Sequence, residues 1–265
     1  NLCFLIGMLM LYYLTRRLLG EEKGAERTVL LTLCLPAAFI FSAFYTESLY
    51  LLLTLAVCIA AEDDRWLLSA VFASLAALTR ANGFVIAVVP AWIYLSRCGW
   101  DFRRIGWRWV WFMLVPLAVA GHFAVLYRIT GNFFAFFQAQ KAWSRGQVTP
   151  LQFVIEFLAA LNDERPQIGI LDRIAYVSYM LAAVWAFIKA KNLRAYMAYA
   201  AALVVIYGAS GLMYSQTRYT LVVFPVAIFL ASRFRDEEKF YLTCAVLAMI
   251  QVLLWIGWTN FYWIC

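Results

Sequence analysis

The chain has 265 residues, 65% hydrophobic and 14% charged, with a mean hydropathy of +0.77. A soluble domain lies nearer ~45–50% apolar and ~25% charged, and a β-barrel would alternate apolar with polar residues; neither fits these unbroken apolar runs, so the class is all-α and polytopic. The net charge of +7 does not call for a nucleic-acid partner, because basic residues in such a chain mark the cytoplasmic loops.

A spanning helix needs about 20 apolar residues. In chain order, segments 2–15, 28–44, 48–61, 66–79, 82–96, 109–127, 170–188, 195–214, 219–232 and 240–262 predict about 9–10 transmembrane helices in one membrane domain over 1–265. Several are short, and 28–61 reads either as a hairpin or as one bent helix. The chain opens inside an apolar segment, Asn1-Leu2-Cys3-Phe4, with no basic leader and no small-residue cleavage site. It is therefore not a signal peptide, and further sequence is expected upstream of Asn1. The cysteines (Cys3, Cys34, Cys58, Cys98, Cys244, Cys265) are scattered without a C-x-x-C pair and are expected to be small core residues.

Placing the first segment outward-to-inward sorts the loops by charge. One side then holds Arg16, Arg17, Lys23, Arg27, Arg65, Arg97, Arg103, Arg104, Arg108, Lys189, Lys191, Arg194, Arg233, Arg235 and Lys239, which is 15 of the 22 basic residues. The positive-inside rule makes that side cytoplasmic. The outer side carries single polar residues at helix ends, in Tyr45-Thr46-Glu47-Ser48, Arg80-Ala81-Asn82-Gly83 and Ser215-Gln216-Thr217-Arg218-Tyr219, together with one long extracytoplasmic loop at about 128–167. That loop is rich in Phe and Trp, too aromatic for disorder, and is expected to fold on the membrane surface.

Glu47 is the only charged residue between Thr28 and Ala61. It reads either as a carboxylate facing an outer aqueous cavity, where it would bind a sugar hydroxyl or act as a base, or as a cap on the helix beginning near Ser48. Tyr45 and Thr46 add hydroxyls suited to a carbohydrate or phosphate. Arg80 with Asn82-Gly83 reads either as an anion fork or as an ordinary helix stop. Arg218-Tyr219 poses the same choice. In the long loop, Gln138, Gln140 and Trp143 suit a pyranose and Lys141 and Arg145 a phosphate, while the same segment also fits an interfacial amphipathic helix. His122, the sole histidine, is expected to be a satisfied core residue. There is no Gly-rich phosphate loop, Ser–His pair or metal-ligand cluster, so no cofactor is expected, and a metal requirement stays open although no ligand cluster argues for one.

Four blocks in order resemble a known family. They are Pro36-Ala37 with Phe39-Ile40-Phe41-Ser42-Ala43-Phe44-Tyr45-Thr46-Glu47-Ser48-Leu49; Leu78-Thr79-Arg80-Ala81-Asn82-Gly83; Thr130-Gly131-Asn132 with Phe136-Phe137-Gln138-Ala139-Gln140 and Trp143; and Arg218-Tyr219 with Phe224-Pro225. The chain resembles the PIG-V-type mannosyltransferases, GPI mannosyltransferase 2 and its bacterial relatives. The resemblance implies a GT-C glycosyltransferase fold, a polyprenyl-phosphate-linked mannose donor, and a glycan or glycolipid acceptor on the extracytoplasmic face. It also implies a catalytic Asp in a first outer loop, which would lie upstream of Asn1; in a chain without it, Glu47 is the best remaining base. The substrate-binding set is then Tyr45, Glu47, Arg80, Asn82, Gln138, Gln140, Lys141, Trp143, Arg218 and Tyr219. The third block is closest to the bacterial members, which implies a bacterial plasma membrane, or the endoplasmic reticulum in a eukaryote. The rivals are a lipid-linked sugar flippase or transporter and a non-catalytic membrane subunit; a small membrane subunit is also a compatible partner.

Overall fold

A computed structural model of the chain describes residues 1–142, 166–209 and 215–260. It is 84% helix, with no strand among the described residues. The α-helices are α1 (Leu2–Leu19), α2 (Glu22–Cys34), α3 (Glu47–Glu62), α4 (Trp66–Thr79), α5 (Val88–Arg97), α6 (Leu114–Thr130), α7 (Ala135–Ala142), α8 (Pro166–Lys189), α9 (Arg194–Ala209), α10 (Gln216–Thr220), α11 (Phe224–Arg233) and α12 (Glu237–Thr259).

Two of the apolar segments divide where proline dictates. Leu35, ahead of Pro36, is extended at φ −57 and ψ 143, as a residue before proline prefers, so α2 stops at Cys34 and a 3-10 stretch, Ala38–Ser42, leads to α3. The region 28–61 is thus two helices joined by the connection 35–46, not one bent helix. The 219–232 segment likewise breaks into α10 and α11, with Pro225 in the first turn of the latter, where its missing N–H costs nothing. Among the described residues, four helices are long and apolar enough to cross a membrane: Leu2–Leu19, Trp107–Thr130, Leu171–Lys189 and Glu237–Thr259. Trp66–Thr79, Gly83–Arg97 and Phe224–Arg233 are apolar but shorter.

The molecule is built around α3. Twelve of its 16 residues are buried, which suits a helix apolar on every face. It packs against α1, α4 and α5. The approach of α4 is close because its facing residues are small: Ser69, Ala70, Ala73 and Ala76 are all fully buried. Such a small-residue stripe lets two backbones come together where lipid supplies no hydrophobic drive. Ser69 also donates its hydroxyl to the Val57 carbonyl at 3.0 Å. Across the core, the Tyr50 hydroxyl of α3 meets that of Tyr199 on α9 at 3.1 Å. By contrast α6 and α12 present Leu117, Val125, Ile129, Val246, Met249 and Leu253 outward. So much exposed hydrocarbon is compatible with a lipid-facing surface.

Polar contacts gather at the two ends of α3, roughly 24 Å apart at 1.5 Å per residue. At one end Arg17 reaches Asp63 at 2.5 Å and the Glu62 carbonyl at 2.9 Å, while Arg97 donates to the same carbonyl at 3.1 Å and pairs with Asp64. Tyr196 donates to Glu62 at 2.7 Å, Arg27 to the Phe234 carbonyl at 2.6 Å, and Lys23 to Glu237 at 3.1 Å. The loops that charge counting assigned to one side are therefore neighbours in space. The Arg17 guanidinium holds the Asp63 carboxyl below the usual carboxylate range. The Glu47 cluster lies at the other end.

Candidate functional site

Glu47 is the first residue of α3, one position earlier than expected, and its carboxylate sits in the positive end of that helix. It is 0% exposed. The expectation of a carboxylate open to water is not met, because two guanidiniums roof it. Arg80 Nη1 donates to Glu47 Oε1 at 2.8 Å and Arg218 Nε donates to the same oxygen at 2.5 Å. Oε2 has no hydrogen-bond partner among the described residues. The triad carries one net positive charge.

Each arginine is delivered by a distinct local device. After α4 stops at Thr79, Arg80 is extended (φ −143, ψ 147), so its side chain leaves the helix and turns inward to Glu47. Its backbone N–H still closes α4 by donating to the Ala76 carbonyl at 3.2 Å, so Arg80 ends the helix and also pairs with Glu47. The turn back depends on Gly83. A Cβ there would stand 1.9 Å from the Ala76 carbonyl oxygen, so only glycine lets the chain lie against the last turn of α4. Gly83→Ala is expected to cost roughly 3 kcal/mol, the upper end of overpacking penalties. The check is the melting temperature of the purified variant in detergent; an unchanged value would contradict the close approach.

Arg218 rides on α10, only five residues long, whose position comes from α8. Asp172, fully buried, accepts from the Ser215 backbone N–H at 2.6 Å, from the Thr217 N–H at 2.7 Å and from the Thr217 hydroxyl. A carboxylate at a helix start is the usual partner for these orphan donors, here supplied from another helix. Ser215 itself is left-handed at φ 64, a conformation that costs a non-glycine residue about 1–2 kcal/mol and that the Asp172 bonds hold in place.

Aromatic rings enclose the pair. The Arg218 guanidinium lies 4.0 Å over the Tyr45 ring, and Arg80 lies 5.6 Å over Tyr50 and 5.4 Å over Tyr219. Tyr219 stacks on Tyr207 of α9 at 5.2 Å, and the Asn82 side chain lies beside Tyr207. Tyr45, Glu47, Arg80, Asn82, Arg218 and Tyr219, separated by up to 174 positions in sequence, thus form one continuous cluster. The Arg80 and Arg218 side chains are 10% and 19% exposed, so Arg218 is the outer member. Its Nη1 and Nη2 make no hydrogen bond to another described residue.

The remaining sequence candidates lie elsewhere. Gln138 and Gln140 are on α7, which packs on α6, and among the described residues neither hydrogen-bonds to the triad. Lys141 belongs to the last turn of the same helix; Trp143 lies outside the described residues. His122 is exposed on α6 and not in the core, since that helix faces outward. Asp172, Tyr50 and Tyr207 were not anticipated. Asp172 had a signal, an ionisable residue at the mouth of an apolar segment; the tyrosines had none, because buried and lipid-facing tyrosines look alike in sequence.

Comparison with protein families, with curated proteins and with solved structures returns no match.

Proposed function

We propose that the chain is a membrane glycosyltransferase that moves a mannosyl or similar hexosyl residue from a polyprenyl-phosphate sugar to an acceptor hydroxyl. The observation that carries this is the buried arginine pair, with an outer guanidinium edge uncommitted to any described residue and held between a carboxylate and an aromatic ring. A planar fork of this kind suits a phosphate, and a site of net positive charge beside a hydrocarbon-facing surface suits a phosphate carried on a lipid.

In the reaction, the acceptor oxygen attacks the anomeric carbon. The bond from that carbon to the phosphate oxygen breaks with its electron pair going to the phosphate, and the acceptor proton passes to a base. Inversion follows from a single displacement. A phosphate leaving group needs its growing charge met rather than a proton delivered, which is the work of Arg218 and Arg80. Glu47, enclosed by both, fixes their orientation and is not the base; no described residue is assigned that part. Asn82, Tyr45 and Tyr219 border the place a sugar would occupy.

The segregation of basic loops to the opposite end supports placing the Glu47 end outside, and the multi-spanning GT-C architecture and bacterial plasma membrane follow from the resemblance. A flippase would need a polar path between the two ends. The middle of α3, with Leu51, Leu55 and Cys58 fully buried in the apolar core, runs against one.

The test is transfer of labelled hexose from a short-chain polyprenyl-phosphate mannose by membranes holding wild type, Arg218→Ala or Arg80→Lys. Each variant is expected to lose about 100-fold or more, as when a transition-state donor is removed, at protein levels close to wild type. Activity near wild type in both would overturn the phosphate assignment.

A further inference from the structure

At the basic end, away from the triad, α2 and α12 diverge around a cleft of about 270 Å³ lined by Lys23, Glu26, Arg27, Leu30, Glu237, Phe240 and Tyr241. We infer that this cleft binds the zwitterionic headgroup of an aminophospholipid, phosphate and primary ammonium together.

The charges decide the class. Two cations and two carboxylates line the rim, so its net charge is zero. Lys23 Nζ and Arg27 Nη2 both lie on Glu237 Oε1, at 3.1 and 3.5 Å, and Arg27 Nη1 is used on the Phe234 carbonyl at 2.6 Å. Arg27 is thereby fixed over the Phe240 ring at 5.5 Å. Lys23 stays mostly exposed, with donor hydrogens to spare for a phosphate. Glu26 makes no ion pair with another described residue, and its carboxylate beside Glu237 is matched by an ammonium that can donate hydrogen bonds. A purely anionic headgroup would meet those two carboxylates, and a trimethylated ammonium would have no hydrogen to give them.

The floor decides that the ligand is a lipid. Phe240 and Leu30 close the inner wall, and Tyr241 is 59% exposed at the mouth. From there α12 runs on with exposed Val246, Met249 and Leu253, a surface for acyl chains. A charged cleft at the end of an apolar helix long enough to span a membrane lies at headgroup depth.

The experiment offers the purified full chain equal amounts of phosphatidylethanolamine, phosphatidylcholine and phosphatidylglycerol with the same acyl chains, and weighs the intact complexes by native mass spectrometry. Phosphatidylethanolamine is expected to be retained about tenfold over the other two, one charge-assisted hydrogen bond's worth of discrimination. Glu26→Gln should erase the preference and Lys23→Met, which removes the donor to the phosphate all three lipids share, should weaken retention of each, both at exposed positions and at an unchanged melting temperature. Soluble glycerophosphoethanolamine at the same concentration should not compete. Equal retention of the three lipids, a preference for phosphatidylglycerol, effective competition by the soluble headgroup, an undiminished preference in Glu26→Gln, or undiminished retention in Lys23→Met would overturn the inference. None of these outcomes bears on the triad or on transfer activity.

Discussion

Glu47→Ala is expected to destabilise the folded protein by about 3–5 kcal/mol, the cost of leaving buried charge uncompensated. Arg80, with a side chain only 10% exposed, would lose its anion, and both guanidiniums would repel each other across the gap. Arg80→Ala should cost less, because Glu47 keeps Arg218, and Arg218→Ala least, because its side chain is nearest water. Thermal denaturation in detergent reads the series, and the order Glu47, Arg80, Arg218 is the falsifiable part. A further variant separates stability from purpose. Buried ion clusters replaced whole by apolar residues of similar volume are often neutral or stabilised. Glu47→Leu, Arg80→Met and Arg218→Leu combined should therefore recover most of the stability lost in Glu47→Ala while remaining inactive in transfer. If the triple variant stayed as unstable as Glu47→Ala, the cluster would be a structural keystone. If it stayed active, the phosphate assignment would fail.

Asp172→Ala is the second large effect. Removing the carboxylate orphans the buried N–H groups of Ser215 and Thr217 and the Thr217 hydroxyl. Each buried donor left unpaired costs about 1–3 kcal/mol, so a loss of roughly 3 kcal/mol or more is expected. Asp172→Asn should recover part of it, since one carbonyl oxygen can still accept while its NH₂ faces a donor. The positioning of Arg218 should suffer beyond the loss of stability, because α10 is too short to hold its own start. The check is denaturation together with transfer at a temperature where the Asn variant is fully folded. A destabilisation by Asp172→Ala within about 0.5 kcal/mol, the ordinary surface range, would sink the assignment.

Part of the site was legible in the amino-acid sequence. Glu47, Arg80 and Arg218 stand out because each is a lone charge beside apolar segments, and a charge there is costly enough to need a reason. Their common end follows from counting basic residues along alternating spans, and the structure joins them through single hydrogen bonds. What could not be read was their arrangement. Sequence spacing carries no information on whether a lone Glu faces water or two arginines, since that depends on the extended Arg80 and on the loop that Asp172 tethers. Gln138 and Gln140 illustrate the converse: sugar-like chemistry in sequence, placed on a helix that packs on α6 instead of the cluster.

By itself the amino-acid sequence determined the class. So much apolar residue in long runs admits only backbones that satisfy their own hydrogen bonds, and the basic loops sort the helices into two ends. It also set the boundary at the Asn82-Gly83 turn, whereas segments 28–44 and 219–232 ran through Pro36 and Pro225, where the structure breaks the helices. Tertiary structure alone decided that α3 is the centre, through the small-residue stripe of α4 that lets it come close. It alone decided that Glu47 is sealed and Arg218 is outermost. Those outcomes depend on which distant side chains meet, and burial of a charge is a property of its neighbours, not of its own position in the chain.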